Sequence, residues 1–158
     1  MISLPTHAFK HLSTPFYYEG LLCATLDALN EQLAQHPNFI VHYAAKANAN
    51  MRILQTMKEA GLGVDCVSGG EIETALRAGF KGDSIVFAGV GKSDWEIKLA
   101  LENNIFCFNV ESIQELEVIE QLCNEMNQQT NVCLRVNPNV AAHTHAKITT
   151  GLAENKFG

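Results

Sequence analysis

Apolar and polar residues follow a repeating order along this chain. A short apolar run rich in β-branched residues leads into a polar or glycine-containing turn, and an amphipathic stretch with helical spacing follows. The order occurs five times, with apolar runs at 39–45, 63–67, 84–88, 105–110 and 131–136. Continuous apolar runs suit strands that are buried on both faces. The pattern therefore predicts a parallel β-sheet covered by helices, which is an α/β fold.

The predicted helices have recognisable beginnings. They lie at 24–35, 51–60, 71–78, 94–102 and 113–128. Three of them begin after a serine that has a glutamate three residues later, at Ser68, Ser93 and Ser112. In such a capping box the serine oxygen and the glutamate carboxylate each accept a hydrogen bond from an unpaired backbone N–H. Thr14 to Tyr18 reads as one further strand, outside the repeating array.

Composition and charge exclude several classes of protein. The chain has 158 residues, is 47% hydrophobic and carries a net charge of −6, without a basic run. This charge disfavours binding to nucleic acid, which depends on basic side chains at phosphates. No apolar stretch approaches the roughly 20 residues of a membrane span, and the first residues lack the order of a signal peptide. We expect a cytoplasmic globular protein with a small-molecule or protein partner, and neither nucleic acid nor membrane.

The cysteines and histidines do not predict a metal site. Five cysteines make an odd number and show no CxxC spacing, which argues against a disulfide framework or a zinc site. We interpret them mostly as small core residues. His143 and His145 form a pair without a suitably spaced third ligand, so a solvated or substrate-facing loop is favoured.

Chemically distinctive residues follow the predicted strands. In a parallel βα array the ligand-binding groups collect at the carboxyl ends of the strands. Lys46 follows the first strand, Asp65 lies near the end of the second, Glu111 follows the fourth and Arg135 ends the fifth. Ser68–Gly70 ends the second strand and Gly89–Lys92 follows the third. Five loops are therefore expected to meet on one face.

Lys46 is the sharpest of these signals. It comes directly after an apolar strand, where partial desolvation favours a neutral amine that forms Schiff bases. The alternative is a lysine that merely extends from the strand end to solvent. Gly91-Lys92-Ser93 resembles the end of a phosphate-binding loop, but Val86 stands where that motif requires glycine. These glycines are better explained as a turn into a helix.

Asp65 and Arg135 are charged residues within apolar strands. An unpaired charge there is costly. Asp65 is expected to pair with a cation such as Lys46 or Arg135, or to face a bound cofactor. An ion pair that only closes the top of the array is the structural alternative for both residues.

Several of these segments resemble the N-terminal part of diaminopimelate decarboxylases, pyridoxal-phosphate enzymes of the alanine racemase-like barrel group. The resemblance extends from about Thr14 to Gly158. It is carried by segments 43–48, 67–71, 87–93, 108–112, 134–138, 144–145 and 150–158. Related decarboxylases share the first lysine motif, and the stretch from His145 to Gly151 looks specific to the diaminopimelate branch. Ala141 departs from the family, which usually carries an acidic residue there.

The resemblance implies a fold and an activity. It implies a (β/α)8 TIM-type barrel of which about five βα units are visible, with a second β-domain beyond the chain end. Residues 21–158 then form the first part of the barrel, and residues 1–20 pack on the second domain. Lys46 holds pyridoxal 5'-phosphate as a Schiff base, with Asp65 and Arg135 near its ring. The implied reaction converts meso-2,6-diaminopimelate to L-lysine and CO2, the last step of lysine biosynthesis.

The resemblance also implies a homodimer with shared active sites. A complete barrel of this type takes about 250 residues, so we expect the 158-residue chain alone to be inactive. The alternatives are a related decarboxylase of basic amino acids or carboxynorspermidine, a non-catalytic homologue that binds the cofactor, and a complete open doubly wound domain.

Overall fold

The computed structural model describes residues 10–11 and 20–137. The chain divides into two compact units, Met1–Pro37 and Asn38–Gly158. Among the described residues of the first unit, α1 (Gly20–Leu33) is the helical segment, and it begins four residues before the predicted start. The strand expected at Thr14 to Tyr18 lies outside the described residues, as does the chain beyond Asn137.

The second unit contains the repeating strands and helices that the hydrophobic pattern predicts. Its strands are β1 (His42–Ala44), β2 (Gly63–Cys66), β3 (Ile85–Phe87), β4 (Cys107–Val110) and β5 (Val132–Leu134). Its helices are α2 (Met51–Glu59), α3 (Gly69–Ala78), α4 (Asp94–Glu102) and α5 (Ile113–Met126).

The sheet has its strands in sequential order. The order is β1-β2-β3-β4-β5, and each neighbouring pair is parallel. A doubly wound sheet reverses its strand order at one point, whereas a βα barrel adds each strand beside the last. No reversal occurs within the described residues. The predicted class, the first part of a (β/α)8 barrel, is therefore confirmed.

The two faces of the sheet differ in burial. Side chains that point toward the helices form the core, and Val64, Cys66, Phe87 and Phe108 are fully buried. The Phe87 and Phe108 rings lie side by side on β3 and β4, with their centroids 5.9 Å apart. On the other face of the sheet Asp65 is only half-buried. Because side chains alternate along a strand, the polar residues of the strands face away from this core.

The outermost strands are shorter than predicted. Phe39 and Ile40 precede β1 and are 69% and 71% exposed, and Val136 after β5 is 77% exposed. Within the described residues β1 pairs only with β2, and β5 pairs only with β4. A strand with one neighbour has fewer hydrogen bonds to extend it.

The expectation that the cysteines are mostly core residues is only partly correct. Cys66 and Cys107 are buried and Cys123 is half-buried, but Cys23 and Cys133 are exposed. The exposure of Cys133 follows from its place on β5, the last strand of the described sheet. All five are free thiols, and none of the described helices has the length and apolar content to cross a membrane.

The three predicted serine-led helix starts are present. The Ser68 and Ser112 hydroxyl oxygens each accept a hydrogen bond from the backbone N–H three residues later, at 3.3 and 3.2 Å. The glutamates of these two helices, however, accept from the N–H of the residue before the serine. Only Glu96 accepts from its own serine's N–H, at 3.0 Å from Ser93. The Glu71 and Glu115 contacts hold the starts of α3 and α5 against the ends of the preceding strands, β2 and β4.

Candidate active site

The carboxyl ends of the strands open into one pocket of about 630 Å³. It contains all three residues that the sequence singles out as candidate site residues, Lys46, Asp65 and Arg135. Its remaining lining residues are Val67, Ala88, Gly89, Val90, Asn109, Glu111, Cys133 and Leu134. The sheet thus brings together side chains that are up to 89 positions apart in the sequence (135 − 46).

Lys46 lies in a single turn of 3-10 helix, Ala45–Ala47, directly after β1. The Tyr43 hydroxyl donates a hydrogen bond to the Asn48 carbonyl at 3.2 Å and so fixes the turn at its far side. Lys46 is exposed, and its amine makes no hydrogen bond or ion pair with any residue that the structure describes. Only five of the eight expected barrel strands are described, so the partial desolvation of this amine stays a prediction. The amine is available to a ligand.

Asp65 on β2 carries an unsatisfied oxygen. Its Oδ1 is buried and has no hydrogen-bond partner among the described residues. Burial raises the pKa of this carboxyl, while the charges of Lys46, His42 and Lys92 act in the opposite direction. A buried acceptor without a donor is costly, so such an oxygen points to a missing ligand. The Lys46 charge acts to lower the pKa of Asp65 electrostatically, without a hydrogen bond between the two side chains in the described structure.

Arg135 forms an ion pair with Glu111 and not with Asp65. Its Nη1 lies 2.5 Å from Glu111 Oε2, and the exposed fractions of the two side chains are 32% and 5%. The other oxygen of Glu111 accepts a hydrogen bond from the Gly89 N–H at 3.1 Å. Of the two cations offered as partners for Asp65, Arg135 is therefore taken by another carboxylate. The sequence identifies Glu111 only as a residue that follows the fourth strand.

Lys92, which the sequence places in a turn after the third strand, has contacts that the sequence does not predict. Its side chain is fully buried, and its ammonium donates to the Gly89 carbonyl at 2.7 Å and to the Asn109 carbonyl at 2.9 Å. It also pairs with Glu115 at 2.5 Å and lies 5.3 Å from the centre of the Phe87 ring. The rejection of a phosphate-binding loop agrees with this geometry, since the ammonium is occupied by the protein. A lysine in a glycine-rich turn gives no local sign of burial.

His42 lies on the same strand as the Lys46 turn, four residues earlier. Its ring stacks on Phe106 with centroids 6.1 Å apart. Burial lowers the pKa of His42, and the neighbouring Asp65 charge opposes that shift. A side chain at Gly63 would collide with the His42 ring, because a Cβ there would lie 2.3 Å from its Cδ2. The His42 ring is therefore packed against Phe106 and Gly63, and the Asp65 charge acts on it electrostatically.

Within the described residues no group of three or more histidine, cysteine or acidic side chains is arranged to hold a metal ion. His143 and His145 lie outside that part of the chain, so the interpretation of this pair stays a prediction.

The fold and the pocket together define a class of protein. A sequential parallel βα array whose strand ends present an amine, two carboxylates and a guanidinium to one pocket is typical of the ligand-binding part of a βα barrel. The chain belongs to the family described as pyridoxal-dependent decarboxylase, pyridoxal binding domain, which it matches over residues 22–158.

Individual relatives agree with this assignment. The chain is 60% identical over 156 residues to a diaminopimelate decarboxylase of Bacteroides thetaiotaomicron, a match that covers 98% of this chain and 40% of the relative. A crystal structure of the Helicobacter pylori diaminopimelate decarboxylase I148L mutant, complexed with L-lysine, superposes with a TM-score of 0.85 at 42% identity. That match covers 97% of this chain and 39% of the other. The chain thus spans about two fifths of the length of these relatives.

A more distant structure shares the fold alone. The arginine decarboxylase of Paramecium bursaria Chlorella virus superposes with a TM-score of 0.62 at 24% identity.

The residues of the pocket fit the family's cofactor, pyridoxal phosphate. The group has an aldehyde that reacts with an amine, and Lys46 offers an amine free of partners in the described structure. It also carries hydrogen-bonding ring atoms, and the unsatisfied Oδ1 of Asp65 lies at the same pocket. Arg135 contributes a half-exposed guanidinium.

Proposed function

We propose that the protein is a pyridoxal-phosphate-dependent decarboxylase that converts meso-2,6-diaminopimelate to L-lysine and CO2. The observation that carries this proposal is the meeting of an unpartnered Lys46 amine, the unsatisfied Asp65 oxygen and Arg135 at one pocket. The 60% identity to a protein named diaminopimelate decarboxylase supports the choice of substrate. So does the L-lysine complex of the similar Helicobacter pylori enzyme.

Lys46 is proposed to hold the cofactor through its Nζ atom. When bound, the cofactor supplies an electron sink for the pair that carbon dioxide leaves behind. The 3-10 turn at Ala45–Ala47 would keep the Lys46 amine at the same pocket once the substrate amine has replaced it on the cofactor. The amine thereby stays close enough to act on protons at the reacting carbon.

Asp65 and Arg135 are proposed to orient the cofactor. Asp65 has a raised pKa because it is buried, and a cationic or protonated group beside it would favour its charged form. Arg135 is neutralised on one side by Glu111, which leaves its remaining N–H groups for an acceptor.

Reduction with borohydride tests the role of Lys46. The intact enzyme is reduced in the presence of its cofactor, digested and mapped by mass spectrometry. The pyridoxyl group is expected on Lys46. Its appearance on Lys92 or Lys147 instead contradicts the assignment.

Substrate choice is tested by CO2 release from the intact enzyme. meso-Diaminopimelate is expected to have a far higher kcat/KM than lysine, ornithine or arginine. A site built to pair a distal carboxylate leaves buried polar groups unpaired when that carboxylate is missing. A preference for ornithine or carboxynorspermidine would replace the substrate while leaving Lys46 in place.

We further propose that the enzyme is a cytoplasmic homodimer with active sites shared between subunits. The resemblance to diaminopimelate decarboxylases supports both statements. Val90 in the pocket wall and Trp95 at the start of α4 are 57% and 56% exposed, which suits an interface near the pocket. Sedimentation of the intact protein checks the oligomeric state, and a monomer at micromolar concentration contradicts it.

A further inference from the structure

Four residues beside the pocket form a closed cycle of hydrogen bonds. The Lys92 ammonium donates to the Gly89 carbonyl at 2.7 Å, and the Gly89 N–H donates to Glu111 Oε1 at 3.1 Å. The Glu111 N–H donates to Glu115 Oε2 at 2.9 Å. The other oxygen of Glu115, Oε1, accepts a hydrogen bond from the Lys92 ammonium at 2.5 Å, which closes the cycle. The cycle therefore joins the turn after β3, the end of β4 and the first turn of α5.

Arg135 is attached to this cycle from outside. Its guanidinium bonds to Glu111 Oε2, which is the oxygen that the cycle does not use. Its backbone N–H donates to the Val110 carbonyl at 2.9 Å, so β5 is also aligned beside Glu111. The position of the Arg135 guanidinium thus depends on how firmly Glu111 is held.

Burial makes the cycle sensitive to the loss of Lys92. The Lys92 side chain is 0% exposed, and the Glu115 and Glu111 side chains are 11% and 5% exposed. The two cations Lys92 and Arg135 balance the two carboxylates. Removal of Lys92 leaves the Glu115 carboxylate without a counter-charge in a poorly solvated place. We expect Glu115 to move toward solvent and to lose the hydrogen bond that it accepts from the Glu111 N–H.

We propose that Lys92 is a positioning residue that acts through the Lys92–Glu115–Glu111–Gly89 cycle to hold the Arg135 guanidinium at the pocket wall. It touches no ligand itself, because its ammonium is spent on three protein oxygens. The inference rests on the proposed function in one respect, namely that the group contacted by Arg135 is the cofactor. The cycle and its attachment to Arg135 are independent of that.

Chemical labelling of arginine in the cofactor-free intact protein tests the proposal. An arginine-selective dicarbonyl reagent is applied, and the modification rate of each arginine is followed by peptide mapping. Lys92→Met is expected to raise the rate at Arg135 about fivefold or more, because a charged hydrogen bond no longer has a fixed partner. The rate at Arg77, on the exposed side of α3, is the internal reference and is expected to stay constant.

Two further variants separate positioning from folding. Lys92→Met combined with Glu115→Gln removes both charges together, and it is expected to fold and to keep the raised rate at Arg135. If Lys92→Met or the double variant does not fold, Glu115→Asp is used, because it keeps the charge but shortens the side chain. The same increase in the labelling rate at Arg135 is expected. Glu96→Gln is the matched control, since Glu96 bonds Ser93 and Gly69 outside the cycle.

The outcomes distinguish this proposal from the proposed function. Wild-type labelling of Arg135 in the folded Lys92 and Glu115 variants overturns the positioning role, as does an equal increase in Glu96→Gln. Cofactor titration of the same proteins is expected to show about tenfold weaker binding in the cycle variants alone. Faster labelling with unchanged cofactor affinity supports the positioning role and overturns the contact assigned to Arg135.

Discussion

Lys46 and Lys92 occupy comparable places and differ in every other respect. Both follow strands of the same parallel sheet, β1 and β3, on the face where the strands end. Lys46 is exposed and has no hydrogen-bond partner in the described structure, whereas Lys92 is 0% exposed and has three oxygen partners. One amine is free for chemistry and the other is consumed by the protein. A lysine at the end of a barrel strand is thus a candidate nucleophile only where nearby oxygens have not already bound it.

The largest effect is expected for Lys46. Lys46→Ala removes the amine proposed to hold the cofactor, and CO2 release from the intact enzyme should fall by about 10³-fold or more, as when other enzymes lose a covalent catalytic group. No pyridoxyl peptide should be trapped by borohydride. Lys98→Ala is the control, because Lys98 lies at the surface 3.7 Å from Glu125. Equal activity in the two variants would remove the distinction between Lys46 and the other lysines.

Lys92→Met should also lower the stability of the protein. It leaves the Glu115 charge buried and unpaired, which lowers the free energy of unfolding by about 3 kcal/mol. Chemical denaturation measures this change, and addition of Glu115→Gln should restore more than half of it. Lys98→Met breaks a pair whose side chains are 45% and 47% exposed, and should change stability by less than about 1 kcal/mol. Similar losses in the two variants would mean that the buried pair is not special.

Gly89→Ala tests the turn that supplies one of Lys92's acceptors. Gly89 has a φ of +106°, and a Cβ there would lie 3.3 Å from the Val67 carbonyl oxygen. The strain should cost about 1–3 kcal/mol of unfolding free energy. Gly91→Ala is the matched control in the same turn, since its Cβ would meet nothing within 4 Å. A loss of stability as large in Gly91→Ala as in Gly89→Ala would contradict this explanation.

The smallest effect is expected from Asp65, as a change in pH dependence. Its pKa is raised by burial, so the folded protein binds this proton more tightly than the unfolded chain. The Asp65 contribution to stability is therefore present at low pH and is lost as the pH rises through the folded pKa. Asp65→Asn should be more stable than wild type at neutral pH, with a difference that shrinks in acid. Thermal unfolding of the cofactor-free protein between pH 4 and pH 8 measures it, and a difference that grows in acid would refute the sign.

The fold was largely predictable because its signals are local. Apolar runs place β2 and β4 correctly, and the serines at 68, 93 and 112 mark three helix starts. The meeting of Lys46, Asp65 and Arg135 at one pocket follows from the parallel topology. The partner of Arg135 did not follow, because Glu111 and Asp65 are both strand-end carboxylates and only side-chain direction decides between them. The burial of Lys92 arises from atoms on β4 and α5, which no pattern around position 92 encodes.

Glu96 couples the local unfolding of two helices, α3 and α4. One oxygen accepts from the Gly69 N–H at 2.6 Å and the other from the Ser93 N–H, so a single carboxylate links the starts of α3 and α4. Burial acts to raise the pKa of Glu96, but these two hydrogen bonds, a third from the Ser93 hydroxyl and the Lys92 charge together lower the pKa. The carboxylate links the two helices at neutral pH, and the link weakens in acid, as the pH falls through the lowered pKa of Glu96. Amide hydrogen exchange in these two helices should therefore proceed as one cooperative event at neutral pH and become separable in acid.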